Sequence, residues 1–312
     1  MRIATFNVQN MRLRRDGRGR ATLDGARDAD VPEDTGDDAA ALDPFDRRLT
    51  AQVLHRADAD IVALQEVFDQ ATLDHFHDHY LRPTGAAPYP ERHCLPGNDG
   101  RGLDLAVMSR VPLTAITSHA DATPQDLGIV PPDDVVPDRP VFRRDCLVVE
   151  TGALTLFITH LKAPYPDAGA VWPVRRAEAL ALRALIARRF DDPAQALWMI
   201  LGDLNEPAQE PRESRAIAPL QAPFTADLLE RVPAGERLSW YEPHARLYGR
   251  PDAMLASPAL ARRCAGARPR IIRAGMGTEA ARHAAPRLPG VGRHRPHASD
   301  HAAVVIDLPD LS

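Results

Sequence analysis

Four apolar runs in the chain end on a residue able to do chemistry: Phe6-Asn7, Leu64-Gln65-Glu66, Ile158-Thr159-His160 and Gly202-Asp203-Leu204-Asn205. A fifth is reversed, with Ser299-Asp300-His301 preceding its apolar run. Strand ends are where a sheet protein gathers side chains from distant sequence on a rigid frame. Any one of these residues is explained by a turn or a helix cap. Five together are not. Glu66, Asp203 and Asp300, with Asn7 and Asn205, supply hard oxygen donors that suit Mg²⁺ or Mn²⁺, with Ca²⁺ as a substitute, over a soft metal. His160 and His301 add groups that exchange protons near neutral pH. Such a set suits attack of water on a phosphate ester. A metal neutralises a phosphate oxygen, a carboxylate orients or deprotonates the water, and an imidazole supports charge on the phosphoryl group or leaving oxygen. No Gly-x-x-x-x-Gly-Lys loop and no Gly-x-Ser-x-Gly elbow is present, so nucleotide-loop and serine-hydrolase chemistries lack support. Zinc through His160 and His301 stays open, although the usual short His or Cys spacings are missing.

These residues need elements to hold them. Residues 2–8 alternate polar and apolar and predict a strand. Residues 60–66, 102–109, 196–201, 252–256 and 302–306 predict further strands, and 146–150 with 154–159 predict a hairpin around Thr151-Gly152. Helices are predicted over 47–57, 69–81 and, most clearly, 174–189, where Ala177, Leu180, Ala181, Ala184, Leu185 and Ala187 make an apolar side. Residues 11–46, 119–140 and 266–298 read as long loops inserted in a single domain over 1–312. Mixed strands and helices, with hairpins as well as crossovers, predict an α/β sandwich with mixed sheets.

Composition sets outer limits. The chain has 312 residues, 44% hydrophobic, with mean hydropathy −0.30, enough for a large core. No run approaches a membrane span, and the N-terminus lacks a secretory pattern. Cys94, Cys146 and Cys264 make no disulfide framework and no metal spacing, so buried free thiols and a cytoplasmic location are expected. The net charge is −5, but residues 28–46 carry eight acids (Asp28, Asp30, Glu33, Asp34, Asp37, Asp38, Asp43, Asp46) and no base; removing those eight leaves +3. A polyanionic substrate is therefore neither excluded nor indicated. Lys162 is the one lysine beside 37 arginines, so an arginine cluster is weak evidence of function.

The motifs resemble the endonuclease/exonuclease/phosphatase superfamily, in its DNase I-like branch. The matching segments are TFNVQN, DIVALQEV, GLDLAVMSR, FRRDCLVVE, FITHLKAP, ILGDLNE, RPDAMLAS and SDHAAVV, spanning residues 5–305. The resemblance implies a four-layered α/β sandwich, two mixed β-sheets face to face with helices outside. It also implies roles. Glu66 binds Mg²⁺ with Asn7 beside it, and Asp300 completes the metal site. Asp203 and Asn205 position the attacking water and a phosphate oxygen. His301 contacts the scissile phosphate and is oriented by Asp252. His160 matches the second histidine of the branch, a proton donor. Arg144 matches a phosphate-binding arginine, with Arg143 the adjacent alternative. The branch also pairs a glutamate with the histidine equivalent to His160; no residue fills that place securely, and Asp104 is the nearest suggestion.

Some features fall outside these roles. Lys162, two residues past His160, either reaches the substrate phosphate or is a solvated edge lysine. His294 and His297 either line the cleft or are ordinary loop histidines. Arginines 12, 14, 15, 18 and 20 either reach the substrate from the cleft rim or belong to a charged loop, and the aspartates after them could cover the empty cleft. Arg175 or Arg176 is a further candidate for phosphate. The expected function is an Mg²⁺-dependent phosphodiesterase, first a nuclease on DNA or RNA. The alternatives are a phosphoesterase on a small-molecule or lipid phosphate with the same site, and a catalytically inactive binding protein. Stacking support is poor at 5% aromatics. The implied partner is nucleic acid or another phosphodiester, with no membrane span and no obligate protein partner.

Overall fold

Strands apolar on both faces build two six-stranded sheets in the computed structural model, which describes residues 1–15, 17–28, 31, 34–207, 214–243, 245–282, 286–308 and 311. In chain order the strands are β1 (Arg2–Met11), β2 (Leu13–Arg15), β3 (Ala21–Leu23), β4 (Ile61–Val67), β5 (Glu91–Leu95), β6 (Asp104–Ser109), β7 (Ala115–Thr117), β8 (Cys146–Thr151), β9 (Leu154–His160), β10 (Trp198–Asp203), β11 (Ala226–Asp227), β12 (Trp240–Glu242), β13 (Leu247–Gly249), β14 (Asp252–Ala256), β15 (Arg270–Ile272) and β16 (Ala303–Asp307). The helices are α1 (Gly36–Ala57), α2 (Gln70–Phe76), α3 (Pro124–Leu127), α4 (Ala168–Arg189) and α5 (Pro258–Arg263).

The first sheet runs β15-β16-β1-β4-β6-β5 and the second β11-β14-β10-β9-β8-β7. Both are mixed. β1 lies parallel to β4, and β9 parallel to β10, with antiparallel pairs around them. Side chains alternate between faces along a strand, and both faces here are covered. Ile3, Ile61, Ala63, Leu105 and Val107 of the first sheet meet Leu147, Leu156, Ile158, Met199, Leu201 and Met254 of the second. The outer face of the first sheet takes Leu49, Val53 and Leu54 of α1 and Leu73 and Phe76 of α2. The outer face of the second takes Ala177, Ala181, Leu182 and Ile186 of α4 against Phe157, Trp198 and Ile200. The result is a four-layered α/β sandwich, as the resemblance implies.

The predicted loops hold more structure than their sequence suggests. Within 11–46, β2 and β3 pair as a hairpin, and α1 starts at Gly36, eleven residues before the predicted helix at 47. No apolar period marks this extension because ion pairs hold it. Asp37 and Asp38 sit in the first turn, where acids suit the helix dipole. Asp43 and Asp46 accept from the buried Arg295, Asp43 also pairs with Arg27, and Asp46 accepts the His297 N–H. The aspartates are thus bound into the fold rather than laid over the cleft; Asp30 and Glu33 lie outside the described residues. The 119–140 stretch contains the short α3, and 266–298 contains β15. The clearest predicted helix also starts early, at Ala168, because Asp167 accepts the Ala170 N–H at 2.7 Å. The strands missed by periodicity, β5, β7, β11, β12, β13 and β15, have two to five residues. All three cysteines are free and buried, and no described helix is long and apolar enough to cross a membrane.

Candidate active site

Strand parity assembles the site. On β1, Ile3, Thr5 and Asn7 share the face toward the second sheet. On β9 the same face carries Leu154, Leu156, Ile158 and then His160; on β10 it carries Met199, Leu201 and then Asp203; on β14 it carries Ala256, Met254 and then Asp252. On β9, β10 and β14 the inner row is apolar until the residue at this edge, which is polar; on β1 the change comes one step earlier, at Thr5, which hydrogen bonds Gln65. The parallel pairs end at one edge, with Asp203 level with His160, and antiparallel β14 starts there, with Asp252 opposite Asp203. The polar cluster is therefore the open end of the core between the sheets. Gly202 is required for this junction. Its φ is +136°, and a Cβ there would lie 1.9 Å from the Thr159 carbonyl oxygen, a distance no rotamer relieves.

Glu66 breaks parity. Simple alternation along β4 would put it with Val62 and Leu64 on the helix-covered face. A bulge between Gln65 and Val67, with Glu66 at φ +67°, turns it into the cleft. Gln9 and Asn10 also have positive φ where β1 slips against β4. Strained backbone of this kind at matched strand ends is characteristic of functional edges. Glu66 then accepts from Asn7 Nδ2 at 3.2 Å and from the Asn10 N–H at 2.8 Å.

Asp203 is the hub. Its Oδ2 accepts from Asn7 Nδ2 at 3.1 Å and lies 3.5 Å from His160 Nε2 and 3.7 Å from His301 Nε2; its Oδ1 accepts the Asn205 N–H at 2.9 Å. Burial, opposed by the His301 cation and reinforced by Asp252, pushes the Asp203 carboxyl up to about 6. His301 is fixed from behind, its Nδ1 2.9 Å from Asp252 Oδ2, which also accepts from Ser239 Oγ at 2.6 Å. Burial pulls His301 down, but Asp252, Asp300 and Asp203 together hold it well above the usual imidazole range. His160 goes the other way: burial, with Arg144 and His301 nearby, holds it well below that range. One carboxylate thus stands between an imidazole held above the usual range and one held below it.

Asp300 accepts from Trp240 Nε1 at 3.0 Å and Ser299 Oγ at 3.2 Å, while its N–H donates to Gln9. Glu66 and Asp300 both line the cleft. Among the described residues no three acids, histidines or cysteines stand close enough to enclose a metal ion. An open site of one or two carboxylates fits Mg²⁺, which keeps several waters and takes the rest from substrate oxygens. Asn7 stands beside Glu66 as expected, but its amide links Glu66 to Asp203 and its Oδ1 accepts the Gln9 N–H.

Helix α4 holds the loops that carry the remaining groups. The buried carboxylate of Glu178 accepts the N–H groups of Arg143 at 2.8 Å and Lys162 at 2.7 Å, so it clamps the segments bearing Arg144 and His160. Buried Arg175 donates to the Lys162 carbonyl and faces Glu206 at 3.5 Å, and Arg176 reaches the carbonyls of Arg215 and Ala216. Both arginines brace the fold. Arg144 lines the cleft, with Nε 3.1 Å from Asp99.

Lys162 departs from the expected phosphate contact: Nζ turns back on the carbonyls of Ala163 and Tyr165, and the residue is not among those lining the cleft. Asp104 does not pair with His160 but accepts the Gly97 N–H, and His160 Nδ1 has no hydrogen-bond partner among the described residues. His294 faces Asp34, and His297 Nε2 sits against the Ala26 carbonyl; they line a small cavity bordering Asp300 rather than the cleft. Asn10, Gln9, Ser239, Trp240, Arg101 and Glu178 were not singled out from sequence. Gln9 and Asn10 alone had a signal, their place in TFNVQN.

The cleft has a volume of about 490 Å³ and is lined by Asn7, Glu66, Arg144, His160, Asp203, Asn205, Asp300 and His301, with Arg101 and several apolar residues. A larger cavity of about 550 Å³ borders it at Pro251 and Glu206 but contains neither histidine nor Asp203. A family model described as "Endonuclease/Exonuclease/phosphatase family" matches residues 4–301. The chain belongs to that family. Members of the endonuclease/exonuclease/phosphatase family are phosphoester hydrolases and generally use divalent metal ions. Solved structures share the fold. Truncated TDP2 of Caenorhabditis elegans aligns with TM-score 0.55 and 15% identity over 98% of this chain and 95% of that one. The mannosyl-6-phosphatase Bt3783 of Bacteroides thetaiotaomicron VPI-5482 aligns with 0.57 and 14% over 98% of each. An endonuclease/exonuclease/phosphatase family protein of Leptotrichia buccalis C-1013-b aligns with 0.56 and 14% over 99% of each. No curated protein matches the chain.

Proposed function

We propose that this chain is a divalent-metal-dependent phosphodiesterase acting on nucleic acid. The observation that carries the reading is the Asp203 carboxylate 3.5 Å from His160 and 3.7 Å from His301, in a cleft shared with Arg144, Glu66 and Asp300. Glu66 and Asp300 are the residues that would hold Mg²⁺. When bound, the ion supplies charge neutralisation at a phosphate oxygen. The chain's own groups do the rest. Arg144 and the His301 imidazolium face the phosphate and support its developing charge. Asp203 orients the attacking water and takes its proton, with Asn7 and Asn205 fixing the carboxylate. Asp252 keeps His301 aimed. His160 lines the cleft with Nε2 3.5 Å from Asp203 and would serve the leaving oxygen, the place the resemblance implies for a proton donor.

Nucleic acid is favoured over a small phosphate by the surroundings of the cleft. It runs past Asn10, Arg101 and Leu103 into a groove of about 440 Å³ lined by Arg12, Arg14, Arg27 and Phe68. Arginines along such a groove match a chain of phosphates, although Arg14 is paired with Asp24 and Arg27 with Asp43. The test is nicking of supercoiled circular DNA with Mg²⁺ and with EDTA. Metal-dependent nicking supports the reading. Hydrolysis of a small diester with no effect on DNA or RNA would move the substrate to a small phosphodiester.

A further inference from the structure

We propose that the cleft contains, beside its phosphate-binding groups, a subsite for a ring-bearing organic group attached to the phosphate. This rests on the phosphoesterase reading above. Large apolar side chains rarely stand in water without a use when they cluster. Five are exposed among the described residues, and two of these, Tyr165 at 64% and Leu247 at 45% exposure, come together in lining the cleft that holds Asp203 and both histidines. Pro164, Trp240 and Tyr248 line it with them.

These residues come from two segments outside the main sheets, and both are tied down. Trp240, Leu247 and Tyr248 belong to the β12–β13 hairpin, where the Tyr241 and Tyr248 rings stand 4.6 Å apart. The hairpin is laced to the catalytic segment. The Tyr241 N–H donates to the Asp300 carbonyl at 3.2 Å, the Ala302 N–H donates to the Ser239 carbonyl at 2.7 Å, and Trp240 Nε1 donates to Asp300 Oδ2. The Trp240 ring lies 6.5 Å from that of His301. Tyr165 is in the loop after β9. Lys162 fixes that loop by donating to the carbonyls of Ala163 at 3.0 Å and Tyr165 at 2.6 Å, which gives the one lysine a use.

An apolar, partly aromatic wall held at a set distance from cationic phosphate-binding groups matches a two-part ligand. The phosphate faces Arg144 and His301, and the ring lies on the wall. Rings gain from stacking as well as from burial. A nucleobase and a simple aryl group share this chemistry.

Calorimetry on the intact chain with Mg²⁺ tests it, with inorganic phosphate, methyl phosphate, phenyl phosphate and thymidine 5′-monophosphate as ligands. Phenyl phosphate or the nucleotide should bind about tenfold tighter than methyl phosphate, the scale for covering one face of a ring. The tighter of the two identifies an aryl group or a nucleobase. In Tyr165→Ser/Leu247→Ser, that preference should fall to within about twofold. Both positions are exposed, so the fold should tolerate the change. Equal affinity for methyl and phenyl phosphate and the nucleotide in the unaltered protein overturns the subsite but leaves the phosphate site standing, provided Arg144→Ala weakens all four. Binding of none of the four overturns the phosphoesterase reading itself, and the subsite with it.

Discussion

Nε2 of His160 lies 3.5 Å from Oδ2 of Asp203, with the two residues level on adjacent parallel strands. The same oxygen is 3.7 Å from Nε2 of His301. Titratable groups whose surroundings push them apart mark an acid–base assignment. In the proposed mechanism Asp203 is the base and His301 the cation.

Asp203→Asn keeps the shape of the hub and removes its basicity. His301→Ala removes the cation that Asp252 aims. Each should lower kcat by at least about a hundredfold, the scale of a general acid–base group. Steady-state kinetics with the fold checked by circular dichroism decides, and near-normal turnover in either variant removes the proposed mechanism.

Glu178 touches no substrate, yet it clamps the segments that carry Arg144 and His160. Glu178→Gln leaves one of two buried N–H groups facing an amide donor. We expect a stability loss of about 1–3 kcal/mol for the orphaned donor and a fall in kcat of about tenfold from misplaced groups. A loss of stability with kcat within twofold would make Glu178 a structural residue only.

Asp104 gives a pH signature away from the proposed metal carboxylates. Burial first, then Asp99, Asp145 and Asp69, push it up to about 6 against the opposing Gly97 N–H. A carboxyl whose folded value lies above its unfolded one penalises the fold when ionised. That penalty is present above about pH 6 and fades as pH falls toward 4. Asp104→Asn keeps an oxygen for Gly97 and removes the charge. Its melting temperature should exceed that of the unaltered protein at pH 8, with a smaller gain at pH 5. An equal or larger gain at pH 5 contradicts this account.

Arg295 ties the early turns of α1 to the 266–298 region, with Nε 2.7 Å from Asp46, Nη2 2.8 Å from Asp43 and Nη1 3.0 Å from the Ala39 carbonyl. Arg295→Met leaves buried carboxylates short of their partner and should cost about 3–5 kcal/mol. In denaturant unfolding, Asp46→Asn in the same chain should restore part of the loss. Strict additivity of the two changes would show that the pair is not coupled.

The inner-face rows explain why so much of the site was legible. On β9, β10 and β14 every second residue is apolar until His160, Asp203 or Asp252, and parity turns those residues, with Asn7 of β1, to the core's open end. Glu66 lies in the right segment, but its direction depends on a bulge that no local pattern announces. Asp252 has a place behind His301 only through the resemblance, because only tertiary contact brings the two together. The start of α1 was illegible because Asp43 and Asp46 are satisfied by Arg295, some 250 positions away. Lys162 misled for a related reason, since proximity in sequence to His160 says nothing of where a long side chain turns. The β12–β13 hairpin strands are three residues each, too short for periodicity to register.

Hydrolysis of bis-p-nitrophenyl phosphate by the purified chain, with Mg²⁺ and with EDTA, tests the phosphodiesterase reading most directly. The site predicts turnover that EDTA abolishes, that added Mg²⁺ restores, and that Asp203→Asn lowers at least about a hundredfold. Turnover that persists in EDTA or survives Asp203→Asn, or no turnover with any divalent ion, would contradict it.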